Sequence, residues 1–181
     1  MCDLKKPMTI AETDRLWLRR MCDEDAPLIL ELVNEPAWLE SIGDRGVRNL
    51  DDARAYIAHG PVAMVARCGF GLAVVIRKID LAPLGICGLL KRDELDDADL
   101  GLALLTRFAG QGYAREAAMA TVAYGFGELG LERIVAITSP GNARSIRLLE
   151  SIGFAAEGLV NLADREAAVC RYGRRNALQG E

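Results

Sequence analysis

The 181-residue sequence predicts a single mixed α/β domain. Three observations carry that expectation. Apolar runs at residues 71–78, 83–90 and 97–105 follow closely, the last two joined by the short charged link 91–96. That spacing suits an antiparallel meander. The period then changes: within residues 112–129, Ala114, Ala117, Ala118, Thr121, Val122, Gly125 and Leu129 recur at helical spacing. Finally, Ile134-Val135-Ala136-Ile137 is an uninterrupted apolar run, the pattern of a buried strand reached by a crossover from that helix.

The remaining elements follow in order. Residues 15–21 begin with polar and apolar side chains alternating, as a first strand does. Asp23-Glu24-Asp25 supplies an N-cap and an acidic first turn. The helix so opened carries Leu28, Ile29, Leu32 and Val33 and stops near Pro36. Polar residues 41–49 lead to a second helix, residues 53–58, capped by Asp51. Residues 61–68 fit helix or strand equally. Gly130 closes the long helix at residue 129. Asn142 caps a helix bearing Ile146, Leu149 and Ile152, which Gly153 ends. Strands at 154–160 and 167–172 complete the order β-α-α-β-β-β-α-β-α-β-β. The domain spans 10–176, with short tails at 1–9 and 177–181.

Composition narrows the function. With 51% hydrophobic and 27% charged residues the chain reads as globular. A net charge of −4 argues against nucleic acid as the main partner, since phosphate neutralisation needs clustered Lys and Arg. No run approaches the roughly 18 apolar residues of a membrane span. The N-terminus lacks a signal-peptide core, so a cytoplasmic location is expected. Five cysteines without a C-x-x-C spacing argue against a zinc knuckle or a disulfide framework. Most of them read as small buried hydrophobes. A single histidine, His59, rules out multi-histidine metal sites. It reads as the surface end of the second helix, before Gly60-Pro61, and no metal is expected.

Chemistry concentrates in residues 107–117, where a strand ends, a glycine-rich turn follows and the long helix begins. Glycines let the backbone turn its N–H groups inward, and a helix N-terminus adds unpaired donors and partial positive charge. The result is a cradle for a pyrophosphate. The same glycines could also do no more than shape a strand-to-helix turn. No Gly-Lys-Ser/Thr follows, so this is not a Walker A loop. The dinucleotide pattern G-x-G-x-x-G fails at Arg115 and lies mid-chain, which weakens a nucleotide-dependent oxidoreductase. Asp97 and Asp99 share one face of their strand, as candidate bases or as a solvated hairpin rim.

Three segments together resemble the GNAT superfamily of N-acetyltransferases. Arg107-Phe108-Ala109-Gly110-Gln111-Gly112 fits its pyrophosphate motif Q/R-x-x-G-x-G/A. A second register starts at Ala109, misses that first place, and sets Gly112-Tyr113-Ala114 where the ribosomal-protein N-acetyltransferase-like branch has Gly-Lys-Gly-Tyr-Ala. It is preferred, because that branch commonly has an aromatic residue at the first place. Residues 142–154 look like N-x-x-S/A…(L)-E-x-x-G-F, and residues 12–19 look like E-T-x-R-L-x-L-R. The likeness spans residues 10–175, nearly the whole chain.

The resemblance implies a GNAT fold and acetyl-CoA as cofactor. Ala109, Gly110, Gln111, Gly112, Tyr113, Ala114 and Arg115 would hold its pyrophosphate. Its pantetheine would lie along Leu102, Ala103 and Leu104, with Asn142 and Ser145 beside it and an N–H near Leu104 as oxyanion donor. Acyl transfer needs a neutral amine and a stabilised leaving thiolate. Asp99 is the first candidate base, then Asp97 and Glu94. The acid tyrosine of many members is replaced by Leu149, so Ser145 is the substitute donor, or simply a capping residue. Asp44, Arg45, Arg48 and Asp97 are candidate acceptor contacts; the first three also suit a plain polar loop. Arg171, Arg174 and Arg175 read as a solvated end. The implied partner is an amine, as a small molecule or a protein N-terminus, without nucleic acid or membrane; a homodimer is compatible. The competing reading of another class is an acyl-CoA-binding module without catalysis.

Overall fold

The computed structural model describes residues 9–162 and 167–177. Of the expected tails at 1–9 and 177–181, residues 1–8 and 178–181 lie outside the described residues. The strands are β1 (Thr9–Glu12), β2 (Leu16–Arg20), β3 (Leu72–Arg77), β4 (Pro83–Leu90), β5 (Ala98–Leu104), β6 (Arg133–Thr138), β7 (Ala155–Val160) and β8 (Val169–Arg175). They form one sheet in the order β1-β2-β3-β4-β5-β6-β8-β7. Every pairing is antiparallel except β5 with β6, which is parallel. The helices are α1 (Ala26–Leu32), α2 (Pro36–Ser41), α3 (Leu50–Ile57), α4 (Ala63–Cys68), α5 (Tyr113–Gly127) and α6 (Ala143–Ser151).

Helices cover both faces of the sheet, so the central strands are buried on both sides. In β3, residues 72–76 are all buried. Ala73 and Val75 pack with Leu16, Leu89 and Leu100 against Ala117, Ala118 and Val122 of α5. Val74 and Ile76 pack on the opposite face with Ile29, Leu32 and Ala53 of α1 and α3. This explains why β3 reads as a continuous apolar run without alternation.

The expected meander, long helix, crossover strand and C-terminal hairpin are all present. Three corrections concern the N-terminal half. A strand, β1, precedes the expected first strand and pairs with it. Pro36 does not only stop α1; it begins α2 at its first position, where a missing N–H costs nothing. Gly60-Pro61 does not end the helix of α3. The chain stays helical through a π-turn at Ala58–Val62 into α4, so residues 61–68 are helical and exposed His59 lies mid-run. A π-turn is where a proline inside a helix can be tolerated, because the hydrogen-bond ladder is already interrupted.

The acidic triplet before α1 also differs from a simple cap. Asp25 is buried and takes two bonds from buried Arg19 of β2, at 2.8 and 2.6 Å. It also accepts the Cys22 backbone N–H at 2.9 Å. The pair ties α1 to the sheet. Replacing Asp25 with alanine leaves the Arg19 charge buried without its carboxylate. The expected loss is about 3–5 kcal/mol of unfolding free energy by urea titration. A loss below about 1 kcal/mol would show that water or another group satisfies Arg19 once the carboxylate is gone.

Candidate active site

The site begins where two neighbouring strands part. β5 pairs with β6 only at Ala98–Ile134 and Asp99–Val135. Beyond these it follows β4, as far as the pair Gly85–Leu104. The Leu105 N–H still reaches the Leu84 carbonyl, at 2.8 Å. Backbone groups alternate sides along a strand. The N–H and C=O of Leu102 and Leu104 therefore face away from β4, into the cleft that β6 vacates. Residues 101–104 are only half-buried there. This open edge can take one more extended chain by hydrogen bonding.

At its end the edge runs into the glycine turn. Gly110 and Gly112 adopt φ of 75° and 82°, a left-handed conformation that L-residues rarely take. Gly112 is the N-cap of α5. Arg15 fixes the turn from β2's side: its Nε and Nη2 bind Glu116 Oε2 at 2.7 and 2.6 Å, and its Nη1 binds the Gln111 carbonyl at 3.1 Å. Burial works against the Glu116 charge, but hydrogen bonds from Thr13 and Arg15 hold its carboxyl below the usual value. Gly110, Gly112, Tyr113 and Ala114 line an outer cavity of about 320 Å³ together with Leu102, Ala103 and Leu104. Ala109, Gln111 and Arg115 belong to the same turn but do not line it.

A second, inner cavity of about 350 Å³ lies deeper in the same cleft. The two share Trp38, Ile42, Leu102, Ala103, Asn142 and Ser145 and so form one passage through the splay. The inner lining is largely apolar, with Pro61, Met64, Leu72, Leu90 and Leu149. Its charged members are Arg45, Arg92 and Asp99, and Tyr56 adds a phenol whose pKa is raised by desolvation, against the charge of Arg45. Asp99 is almost fully buried and bonds Arg92 Nε at 2.7 Å. A carboxylate tolerates such burial only when paired.

The candidate residues thus separate. Asp99, Asn142, Ser145, Arg45, the β5 edge and the glycine turn line the cavities. Asn142 Oδ1 accepts the Ser145 backbone N–H at 3.0 Å, so the cap is Asn142 and the Ser145 hydroxyl is not consumed in capping. Asp97 is not brought to the site: it faces the surface and pairs with Arg133 at 2.7 Å, which also holds Glu157. Asp44 and Arg48 pair with each other, exposed, and Glu94 is exposed as well; none of the three lines a cavity. Sequence reading missed Trp38, Ser41, Tyr56 and Arg92. The first two sit on unforeseen α2, which Glu35 anchors by accepting from Thr106 N and Oγ1 at 3.0 and 2.8 Å. The proline at residue 36 was the signal that could have placed them.

An open strand edge leading to a helix N-terminus fits a long, polar-ended ligand with a diphosphate. Fold and site therefore define an acyl-CoA-dependent transferase. The model of the acetyltransferase (GNAT) domain matches residues 15–155, and the chain belongs to that family. It is 31% identical over 157 residues to an uncharacterized N-acetyltransferase, p20, of Bacillus licheniformis, covering 86% of each chain. An acetyltransferase structure from Agrobacterium tumefaciens superposes with a TM-score of 0.77 at 25% identity, covering 97% of this chain and 98% of that one. RimL, a ribosomal L7/L12 α-N-protein acetyltransferase in complex with coenzyme A, shares the fold with a TM-score of 0.78 at 20% identity, covering 92% and 97%. The chain is thus a GNAT N-acetyltransferase by family, with acetyl-CoA as the cofactor, which sets aside the dinucleotide oxidoreductase.

Replacing Gly112 with valine tests the cradle. A Cβ there would approach only the flexible end of Arg15, at 3.3 Å, so the strain comes from φ. A β-branched residue at φ 82° should rearrange the turn. Acetyl-CoA affinity by calorimetry should fall roughly 10- to 100-fold, as lost charge-assisted bonds would imply. A Kd within threefold of the parent would remove the turn from the binding site.

Proposed function

We propose that the acetyl group passes from acetyl-CoA to a primary amine by direct attack in a ternary complex. The observation that carries this reading is the single passage formed by the two cavities, which meet at Leu102, Ala103, Asn142 and Ser145. A donor entering along the β5 edge and an amine entering from the α3–α4 side reach the same point. Among the described residues, no cysteine or histidine lines either cavity, which favours direct transfer over an acetyl group carried on a thiol or imidazole.

When bound, acetyl-CoA supplies a thioester carbonyl to that point. The backbone N–H groups of Gly112 to Ala114, at the α5 N-terminus, would hold its diphosphate. The N–H of Leu104 faces the cleft and would stabilise the developing oxyanion. Asp99, paired with Arg92 at 2.7 Å, takes a proton from the acceptor's ammonium, directly or through water, and so frees the neutral amine to attack. Ser145 donates to the leaving sulfur. Leu149, buried in the cavity wall, has no proton to give. The acceptor is a small-molecule amine or a protein N-terminus, and on this reading the protein works in the cytoplasm.

Free thiol released from acetyl-CoA over a panel of amines and N-terminal peptides measures turnover. With the best acceptor, Asp99→Asn should lower kcat by roughly 100-fold or more, the usual share of a general base, without changing acetyl-CoA affinity. Ser145→Ala should cost roughly tenfold, the weight of one donor. If D99N keeps kcat within threefold, Asp99 is structural and the base lies elsewhere.

A further inference from the structure

We infer that the acceptor is an amine carrying its own carboxylate on a compact apolar skeleton, an amino-acid-like molecule whose acid group is read by Arg45. This rests on the acetyltransferase reading above and names the substrate class of that site.

The loop between α2 and α3 sorts its charges. Asp44 forms a two-pronged pair with Arg48, one arm at 2.9 Å, and also accepts the Gly46 N–H at 2.8 Å. Those bonds hold the Asp44 carboxyl down to about 2. The Arg48 N–H is taken by Asp52 at 2.8 Å. Asp44 and Arg48 therefore satisfy each other. Arg45, between them, has no carboxylate partner among the described residues, and it alone of the three lines the inner cavity. The Trp38 indole N–H binds the Gly43 carbonyl at 3.1 Å, which fixes the loop to α2.

Arg45 does not stand alone there. Its charge is felt at the Tyr56 phenol, which also lines the cavity and whose pKa desolvation raises. A guanidinium and a phenol O–H make a donor pair suited to a carboxylate. On the sheet side the Asp99 carboxylate is matched by Arg92. Among the described residues, the cavity's charged side chains therefore leave one positive charge beyond the Asp99–Arg92 pair, at Arg45. Ile42, Met64 and Leu90 provide apolar wall, and about 350 Å³ suits a compact guest. An amine directed at Asp99 and an acid group directed at Arg45 satisfy both ends.

Leucine, methionine and phenylalanine, each compared with its carboxamide, form the test set, with saturating acetyl-CoA and thiol release as readout. Acids should exceed their amides in kcat/KM by roughly 10- to 100-fold, the value of a charge-assisted contact. Arg45→Gln should abolish that preference by raising KM for the acid, and Arg45→Lys should restore most of it. A loop needed only for folding would give neither the KM-specific loss nor the rescue. Equal turnover of acids and amides, an unchanged preference in R45Q, or thiol release with peptides only would overturn the inference while leaving the acetyltransferase reading intact. Failure of the protein to bind acetyl-CoA by calorimetry would instead overturn the reading beneath it.

Discussion

The site depends on β5 having two neighbours and keeping only one. Over Ala98 and Asp99 it is paired on both sides; from Leu100 onward it stays with β4 and loses β6. Gly85 makes that choice possible. A Cβ there would collide with the Ala103 carbonyl oxygen and lie 2.7 Å from Leu104 Cα. Without a side chain, β4 can press against β5 up to the Leu105–Leu84 bond, through a register shift in its pairing with β3. The features of the site follow: an edge with unused backbone groups, one cleft along it that holds both cavities, and a helix N-terminus where the edge ends.

The wall opposite the sheet is held by ions and proline rather than by strand pairing. Glu35 receives Thr106, Arg107 pairs with Glu31, and Pro36 starts α2 directly over the passage. Exposed pairs of this kind contribute little to stability individually. Their consequence is positional: they fix α2 against the β5–α5 turn, so Trp38 and Ile42 line both cavities. The packing of α3, the π-turn and α4 supplies the remaining wall, with Tyr56, Pro61 and Met64.

Much of this was legible in the sequence where local pattern and fold agree. The meander at 71–105 and α5 announce themselves by period, and the Asn142 cap by its residue type. The glycine turn was legible because positive φ has few other solutions, and the cavity lining includes Gly110 and Gly112 as expected. Three things were hidden. Pro36 punctuates two helices at once, and a stop signal does not reveal that a new helix starts at the same residue. β1 is four residues long, too short to show a period. Asp97 and Asp99 share a face in sequence, yet Asp99 pairs with Arg92 inside the cleft while Arg133 draws Asp97 outward. Which of two like-facing carboxylates enters a site is decided by cations brought from elsewhere in the chain.

The leucine at position 149 bears on how proton transfer is shared on the proposed reading. An alkyl ammonium near pKa 10 must lose its proton before it can attack, whereas a thiolate, of pKa about 8.5, leaves tolerably without receiving one. The two transfers are therefore unequal in difficulty, and a buried carboxylate matters more than an acid across from it. Leu149 instead extends the apolar wall beside Ser145 and Leu148. On that reading the Ser145 hydroxyl and the side-chain N–H of Asn142, whose oxygen accepts the Ser145 N–H, would be the dipoles beside the sulfur, strengthened by the apolar wall. Loss of an acid side chain at that position is thus compatible with catalysis, so long as the carboxylate on β5 remains.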